Sequence, residues 1–183
     1  MGVLFYAGRG LTKVDVNAYR SAAEGPCNDE EDFHEIVERE DLISVEYNEE
    51  RPELSDGLER DATYRCEETV FFSFPHWRVC RDWVQLLRKL VGYTDEEILA
   101  EGSTVDFREY FLWYQEGTIG PLAAARIAAQ FAKWDERAKV FGAQFADGSE
   151  RALAEQWFYN IYEDMRDMFE WTSKDGIVFL RSA

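Results

Sequence analysis

The sequence predicts a single α+β domain spanning residues 1–183, in which a small sheet packs against four or five helices. Three short runs rich in β-branched or aromatic residues indicate the strands, and helical periodicity dominates the second half of the chain. A hydrophobic share of 46% across 183 residues is enough for a sizeable core. These observations together exclude a disordered chain and favour a mixed fold.

The predicted strands cover residues 3–6, 64–74 and 177–180. Residues 64–74 alternate between apolar and polar side chains, and Pro75 ends the run. The two terminal runs are apolar throughout, which is typical of strands that are buried on both faces. We therefore expect both terminal strands to lie in one small sheet together with the middle strand.

An acidic segment occupies residues 28–61, between the first strand and the middle strand. It holds 15 of the 37 acidic side chains of the protein and only three arginines. Pro52 and Gly57 interrupt it, so the sequence predicts helix fragments and loops on the surface of the domain.

The first two predicted helices follow the middle strand. Residues 76–91 place their apolar side chains on one face, and Gly92 is suited to end the helix as a left-handed cap. Thr94 and Glu97 have the spacing of a capping box, in which the side chain of each residue accepts a hydrogen bond from the backbone amide of the other. A second, short helix is therefore predicted to begin at Thr94.

Two longer helices are predicted towards the end of the chain. After Gly120-Pro121, an alanine-rich segment repeats large apolar side chains at spacings of four and three, as a core-facing helix requires. The last helix begins near Ser149 and has a similar stripe. Residues 107–114 fit either a helix or a strand, and we favour a helix.

The order of features between about Thr69 and Leu180 is distinctive. It runs from an aromatic strand end through a Trp-Arg helix start, a Gly-Tyr helix end, a Gly-Thr-Ile-Gly-Pro turn and the alanine-rich helix to a closing helix and strand. The residues that carry these features are Phe71 to Phe74, Trp77-Arg78, Gly92-Tyr93, Glu116 to Pro121 and Asp175 to Phe179. This order resembles a group of uncharacterised bacterial and phage-borne proteins. The resemblance implies a shared fold and a microbial source, and it transfers no catalytic residue.

The overall charge limits the classes of partner. The 20 Lys+Arg and 37 Asp+Glu give a net charge of −17, which argues against direct binding to nucleic acid or to an anionic membrane surface. No stretch approaches the roughly 20 apolar residues that cross a bilayer. Cys27, Cys66 and Cys80 are odd in number and widely spaced, which is typical of a reducing compartment. We expect a soluble, cytoplasmic protein whose partner is a basic protein.

Metal and catalytic motifs are sparse. His34 and His76 are the two histidines of the chain. One helical face would hold Glu31, His34, Glu35 and Glu38, and it resembles a zinc-protease helix in which a glutamate replaces the second histidine. A zinc site would need further ligands from elsewhere in the chain, and a di-iron site would need a second Glu-x-x-His motif besides the one at Glu31 and His34, which the chain lacks. An acidic, solvated helix is therefore favoured over a metal site. The chain also lacks the Gly-x-Ser-x-Gly, Walker and Gly-x-Gly-x-x-Gly motifs. We expect no cofactor, no metal and no catalytic residue.

Three other clusters have both a functional and a structural interpretation. His76 and Cys80 lie one helical turn apart, as a thiolate–imidazole pair requires, but the apolar position of Cys80 favours a buried structural cysteine. A basic helical face, suited to a phosphate, an acidic peptide or the chain's own acidic segment, consists of Arg78, Arg81, Arg88 and Lys89. The aromatic residues of 110–114 suit the wall of a pocket, although core packing is favoured.

The acidic segment carries the strongest functional signal. Its carboxylates accelerate the encounter with a basic surface and give specificity through charge complementarity. The sequence therefore favours a non-enzymatic protein that masks a basic partner, like an immunity protein or a phage-type inhibitor that mimics nucleic acid. The residues expected to bind the partner are Asp29, Glu30, Glu31, Asp32, Glu35 and Glu38.

Two alternative functions stay open from the sequence. The first is a small-ligand sensor or an enzyme that uses an uncatalogued site. The residues of that alternative site are Arg78, Gln115, Glu116 and Thr118. The second alternative is a subunit of a larger assembly.

Overall fold

Helices cover one face of a central sheet, and a smaller sheet covers the other face. The computed structural model describes residues 3–15, 42–113, 117–143 and 150–182. The described strands are β1 (Val3–Arg9), β2 (Thr12–Val14), β3 (Leu42–Ser44), β4 (Thr63–Arg65), β5 (Glu68–Phe74), β6 (Thr118–Ile119) and β7 (Ile177–Ser182). The described helices are α1 (Trp77–Val91), α2 (Asp95–Leu99), α3 (Arg108–Trp113), α4 (Pro121–Ala143) and α5 (Glu150–Thr172), with a short 3-10 helix at Pro52–Ser55. The predicted α+β class is confirmed.

The central sheet is antiparallel and has the strand order β5-β1-β7-β6. Strand β1 pairs with β5 on one side and with β7 on the other, so Val3 lies opposite both Phe74 and Ser182. The two terminal strands therefore share one sheet, as the sequence predicts. The smaller sheet is also antiparallel and has the order β2-β4-β3.

Successive residues of β1 face two different cores, because side chains alternate across a strand. Phe5 and Ala7 pack into the large core with the helices, whereas Tyr6 packs into a small core with residues of β3 and β4. Gly8 allows the smaller sheet to approach closely, since an added Cβ would lie 2.2 Å from the Sγ atom of Cys66. Burial on both faces explains why the sequence of β1 is apolar without alternation.

The predicted strand at 64–74 is divided between the two sheets. Strand β4 lies in the smaller sheet, whereas β5 forms one edge of the central sheet. Where the chain passes between them, the Glu67 amide donates to the Arg9 carbonyl oxygen at 2.9 Å. Cys66 is buried in the small core, but Val70 is 42% exposed. The prediction of one continuous strand is wrong, because alternation of polarity does not record a change of sheet.

Part of the acidic segment contributes to the cores. Residues 42–61 include β3 and the 3-10 helix, and Ile43, Val45 and Leu54 are buried. The 3-10 helix agrees with the predicted helix fragments. The prediction is wrong at β3, because apolar residues between the carboxylates supply a strand of the smaller sheet. Residues 28–41 of the acidic segment lie outside the described residues.

The helix ends follow the sequence signals. At the start of α1, His76 Nδ1 accepts a hydrogen bond from the Arg78 amide at 3.1 Å, and Gly92 ends the helix with a φ of 77°. Thr94 and Glu97 form the predicted capping box of α2. Residues 107–114 contain α3, so the helical interpretation is confirmed for residues 108–113.

Helices α4 and α5 pack against each other and form most of the helical layer. The Tyr162 hydroxyl of α5 donates to the Phe131 carbonyl oxygen of α4 at 2.5 Å. From α1, Trp83 Nε1 donates to the Phe158 carbonyl oxygen at 3.1 Å. These contacts hold α1, α4 and α5 together above the central sheet. In the described part of the chain, no helix has the length and apolar character needed to cross a membrane.

Candidate functional site

An open groove lies between the edge strand β5 and helix α5, and its volume is about 350 Å³. Its lining residues are Val70, Phe71, Phe72, Asp164, Asp167, Met168 and Trp171. Apolar side chains from both elements form most of the surface, and two carboxylates of α5 lie among them. An apolar concavity with a few polar groups is the usual form of a binding site.

Strand β5 exposes apolar side chains because it lies at the edge of the central sheet. Phe71 is 70% exposed, whereas the next residue, Phe72, packs against the large core. Complete burial of an apolar side chain of this size contributes about 1.5–3 kcal/mol. Contact with a partner at Phe71 and Val70 would therefore stabilise a complex substantially.

An ordered cluster closes the groove at the start of β5. The Arg9 Nη2 atom donates to both carboxylate oxygens of Glu68, each at 2.7 Å. The same guanidinium lies over the indole ring of Trp171, 4.7 Å from its centroid. Since Arg9 and Glu68 are opposite each other in the β1–β5 pair, this cluster fixes Trp171 against the sheet.

The carboxylates of α5 are crowded at the groove. Asp164 and Asp167 are three residues apart and therefore lie on the same side of the helix. Burial raises the pKa of Asp164, and the negative charges of Asp167 and Glu163 raise this pKa further. Asp167 also contacts Arg166, with 2.9 Å between Nη2 and Oδ1. A positively charged group brought into the groove would relieve the repulsion at Asp164.

The residues that the sequence predicts to bind the partner lie outside the described residues. They are Asp29, Glu30, Glu31, Asp32, Glu35 and Glu38. Gln115 and Glu116 of the alternative site also lie outside the described residues, and so does His34.

The two described residues of the alternative site are not brought together. Arg78 is exposed in the first turn of α1, which follows the edge strand β5, whereas Thr118 lies in β6 at the opposite edge of the central sheet. The Thr118 hydroxyl accepts a hydrogen bond from the Glu46 amide at 2.9 Å. The Thr118 carbonyl oxygen accepts one from the Ser55 hydroxyl at 3.0 Å. Thr118 therefore joins β6 to the acidic segment through hydrogen bonds, which is a structural role.

Part of the predicted basic face is engaged within the protein. The guanidinium of Arg81 lies over the ring of Trp77, 4.8 Å from its centroid. Arg88 pairs with Asp95 at the start of α2. These contacts favour a structural role for the two arginines over a role in holding a phosphate.

The geometry of His76 and Cys80 supports the structural interpretation of both residues. His76 Nδ1 accepts the capping hydrogen bond of α1, and Cys80 is 2% exposed. Burial raises the pKa of the Cys80 thiol to about 12, so the reactive thiolate is scarce at neutral pH. Among residues 3–15, 42–113, 117–143 and 150–182, no group of three or more His, Cys, Asp or Glu side chains is placed to hold a metal ion.

No sequence motif singles out the residues of the groove. The alternation of residues 64–74 places Val70 on the apolar face of the predicted strand, and the apolar stripe of the last helix predicts only packing against the core. The spacing of the two aspartates is visible in the sequence, but their position beside β5 results from a tertiary contact.

A scan against protein-family models found no match to the chain, and searches of curated proteins and of solved structures found no similar protein.

Proposed function

We propose that this is a non-enzymatic binding protein that masks a basic segment of a protein partner. The observation that carries the proposal is the groove between β5 and α5, where exposed apolar side chains lie beside Asp164 and Asp167. The net charge of −17 supports the same conclusion, since it attracts basic surfaces and repels nucleic acid. Immunity proteins and inhibitors that mimic nucleic acid would act on their targets by the same physical means.

Two parts of the protein contribute differently to this function. Long-range attraction by the acidic side chains of the protein, which include those of residues 29–38, accelerates the encounter with the partner. Short-range contacts in the groove then slow dissociation, because apolar burial and charge pairing are lost only when the partner leaves. The association rate should therefore depend on salt more strongly than the dissociation rate does.

A peptide-binding measurement tests the proposal. The probe, called the valine–lysine peptide, is fluorescently labelled and has the seven-residue sequence Val-Ser-Val-Ser-Lys-Ser-Lys, which places valines and lysines on one face of a strand. A valine–glutamate peptide, in which glutamates replace the lysines, is the control. Binding of the basic peptide alone is expected, with an affinity that falls as NaCl is added. The Asp164→Asn/Asp167→Asn double variant should bind the basic peptide about tenfold more weakly, because it removes both carboxylates of the groove.

The matched control is Glu96→Gln/Glu101→Gln, which removes two exposed charges outside the groove and should leave the affinity nearly unchanged. Reversal of Glu30, Glu31, Glu35 and Glu38 to Lys should slow association at low salt without unfolding the protein. Equal binding of the acidic and basic peptides, or an equal loss in both double variants, would refute recognition of a basic segment at the groove.

A further inference from the structure

We infer that the basic segment binds as an additional β-strand along the outer edge of β5, with its apolar side chains in the groove and a basic side chain beside Asp164 and Asp167. This inference rests on the proposed function and specifies the conformation of the partner. It follows from the edge of β5, which the described residues leave unpaired, the shape of the groove and the charge of its helical side.

Among the residues that the structure describes, the outer edge of β5 lacks the features that usually prevent strand addition. Natural sheets protect their edges with lysines, prolines, bulges or a covering element. The seven residues of β5 contain no lysine and no proline, and their one charged residue, Glu68, is paired with Arg9. Its register with β1 is continuous from Glu68 to Phe74, without a bulge. Within the described part of the chain, β5 pairs with β1 alone.

The geometry of β5 defines the length of the added strand. A strand of seven residues extends about 23 Å, and about half of its amide and carbonyl groups point away from β1. These groups supply a row of hydrogen bonds to an extended segment of five to seven residues, as in other cases of strand addition. Alternate side chains of that segment would then point towards α5 and enter the groove.

The helix orders the side chains that enter the groove. Trp171 lies at the start of β5, where it contacts Arg9. Along α5, Asp167 and Asp164 precede Trp171 by about 6 Å and about 10 Å, respectively. An apolar side chain of the bound segment therefore packs near Trp171 and Met168, and a basic side chain lies one or two positions of the same face further on.

Electrostatic repulsion disfavours a second copy of this chain as the occupant of the groove. Pairing of two β5 edges would bring two chains together, each with a net charge of −17, and would place their α5 carboxylates near one another. A basic segment has the opposite effect, because it compensates the repulsion among Glu163, Asp164 and Asp167. The expected occupant is therefore an extended basic and apolar segment of another protein.

Backbone methylation of the peptide tests strand addition. Two versions of the valine–lysine peptide are prepared, one N-methylated at its serines and the other N-methylated at its valines and lysines. Successive amides of a strand point to opposite edges, so each version blocks one edge, while the side chains and the charge stay the same. Strand addition predicts that one version binds about tenfold more weakly and the other binds like the unmethylated peptide. Equal affinities of the two versions would overturn the inference.

A variant of the edge strand provides a second test. Phe71→Lys places a positive charge at the exposed edge, and Val140→Lys is the matched control at a similarly exposed apolar residue of α4. Only the first variant should weaken peptide binding, by about tenfold, and circular dichroism verifies that both are folded. A dimer of the unmodified protein that Phe71→Lys dissociates would overturn the inference in favour of self-pairing. Failure of the unmethylated basic peptide to bind would instead refute the proposed function itself.

Discussion

Gly8 and Gly120 mark two positions where one element approaches another too closely for a side chain. An added Cβ at Gly120 would lie 2.4 Å from the Asp56 carbonyl oxygen, and the Gly120 amide donates to the Leu54 carbonyl oxygen at 2.8 Å. At Gly8, the neighbour is the Sγ atom of Cys66. Both glycines therefore hold the acidic segment or the smaller sheet against the rest of the fold through close packing.

Substitution of Gly8 tests this contact. Gly8→Ala is expected to lower the free energy of unfolding by about 1–3 kcal/mol, because an overpacked contact forces the neighbouring atoms to move. Urea denaturation followed by tryptophan fluorescence measures the loss. Adding Cys66→Ala should recover part of it, since this change removes the Sγ atom that the new methyl group meets. Strictly additive losses in the double variant would contradict the close contact.

At the scale of elements, a polar cluster centred on Asp135 joins α4 to α5. Asp135 Oδ1 accepts hydrogen bonds from the Tyr159 hydroxyl at 2.9 Å and from Arg166 Nη1 at 2.7 Å. Lys139 Nζ donates to Oδ2 at 2.8 Å. Burial alone would raise the pKa of Asp135, but these hydrogen bonds and positive charges outweigh it and hold the pKa below its ordinary value.

The lowered pKa of Asp135 predicts a pH-dependent contribution to stability. This contribution is complete above the ordinary carboxyl pKa and is lost as the pH falls through the lower folded-state pKa. Asp135→Asn should therefore lower the free energy of unfolding by about 1–2 kcal/mol at neutral pH. The difference between the two proteins should shrink as the pH falls below the ordinary carboxyl pKa and through the lower folded-state pKa.

Urea denaturation of both proteins at several pH values measures this difference. Glu136→Gln is the matched control, because Glu136 is 87% exposed and its contact with Lys139 is an exposed i,i+3 pair. It should change stability little at any pH. A loss in Asp135→Asn that is the same at all pH values would show that packing, and not the carboxylate charge, joins the two helices.

Elements with strong local signals could be predicted from the sequence, and contacts between elements could not. The caps at Gly92 and Thr94 and the apolar stripe of α4 depend on neighbours within a few residues, so the local sequence predicts them. The passage from the smaller sheet to the central sheet at Cys66 depends on pairing with β1, which lies far away in the chain. The groove has the same origin, since β5 and α5 are about 90 residues apart.

At the scale of the whole molecule, the net charge of −17 opposes folding, and it would favour binding of the proposed basic partner. Self-repulsion among the carboxylates raises the free energy of the compact state, and dissolved salt screens it. The same screening weakens attraction to a basic partner. Salt should therefore stabilise the free protein and destabilise its complex.

This opposite dependence on salt is a prediction that one set of solutions can test. An increase from about 0.02 M to about 0.5 M NaCl should raise the Tm of the free protein by a few degrees. The affinity for the valine–lysine peptide should fall over the same range. A variant with Glu96, Glu101 and Glu136 changed to Gln should have a higher Tm at low salt and respond less to NaCl. A Tm that falls as NaCl is added would contradict charge repulsion as a destabilising factor.

The pairing of β1 with β7 constrains how the protein is made. Strand β1 lies inside the central sheet, but its partner β7 follows roughly 170 residues later. At about 5–20 residues per second, a ribosome needs roughly 10–30 s to synthesise the intervening chain. During that time, the edge of β1 that pairs with β7 in the folded protein, including Phe5, Tyr6 and Ala7, has no β7 to pair with. The nascent chain should therefore need protection by a chaperone until β7 emerges from the ribosome.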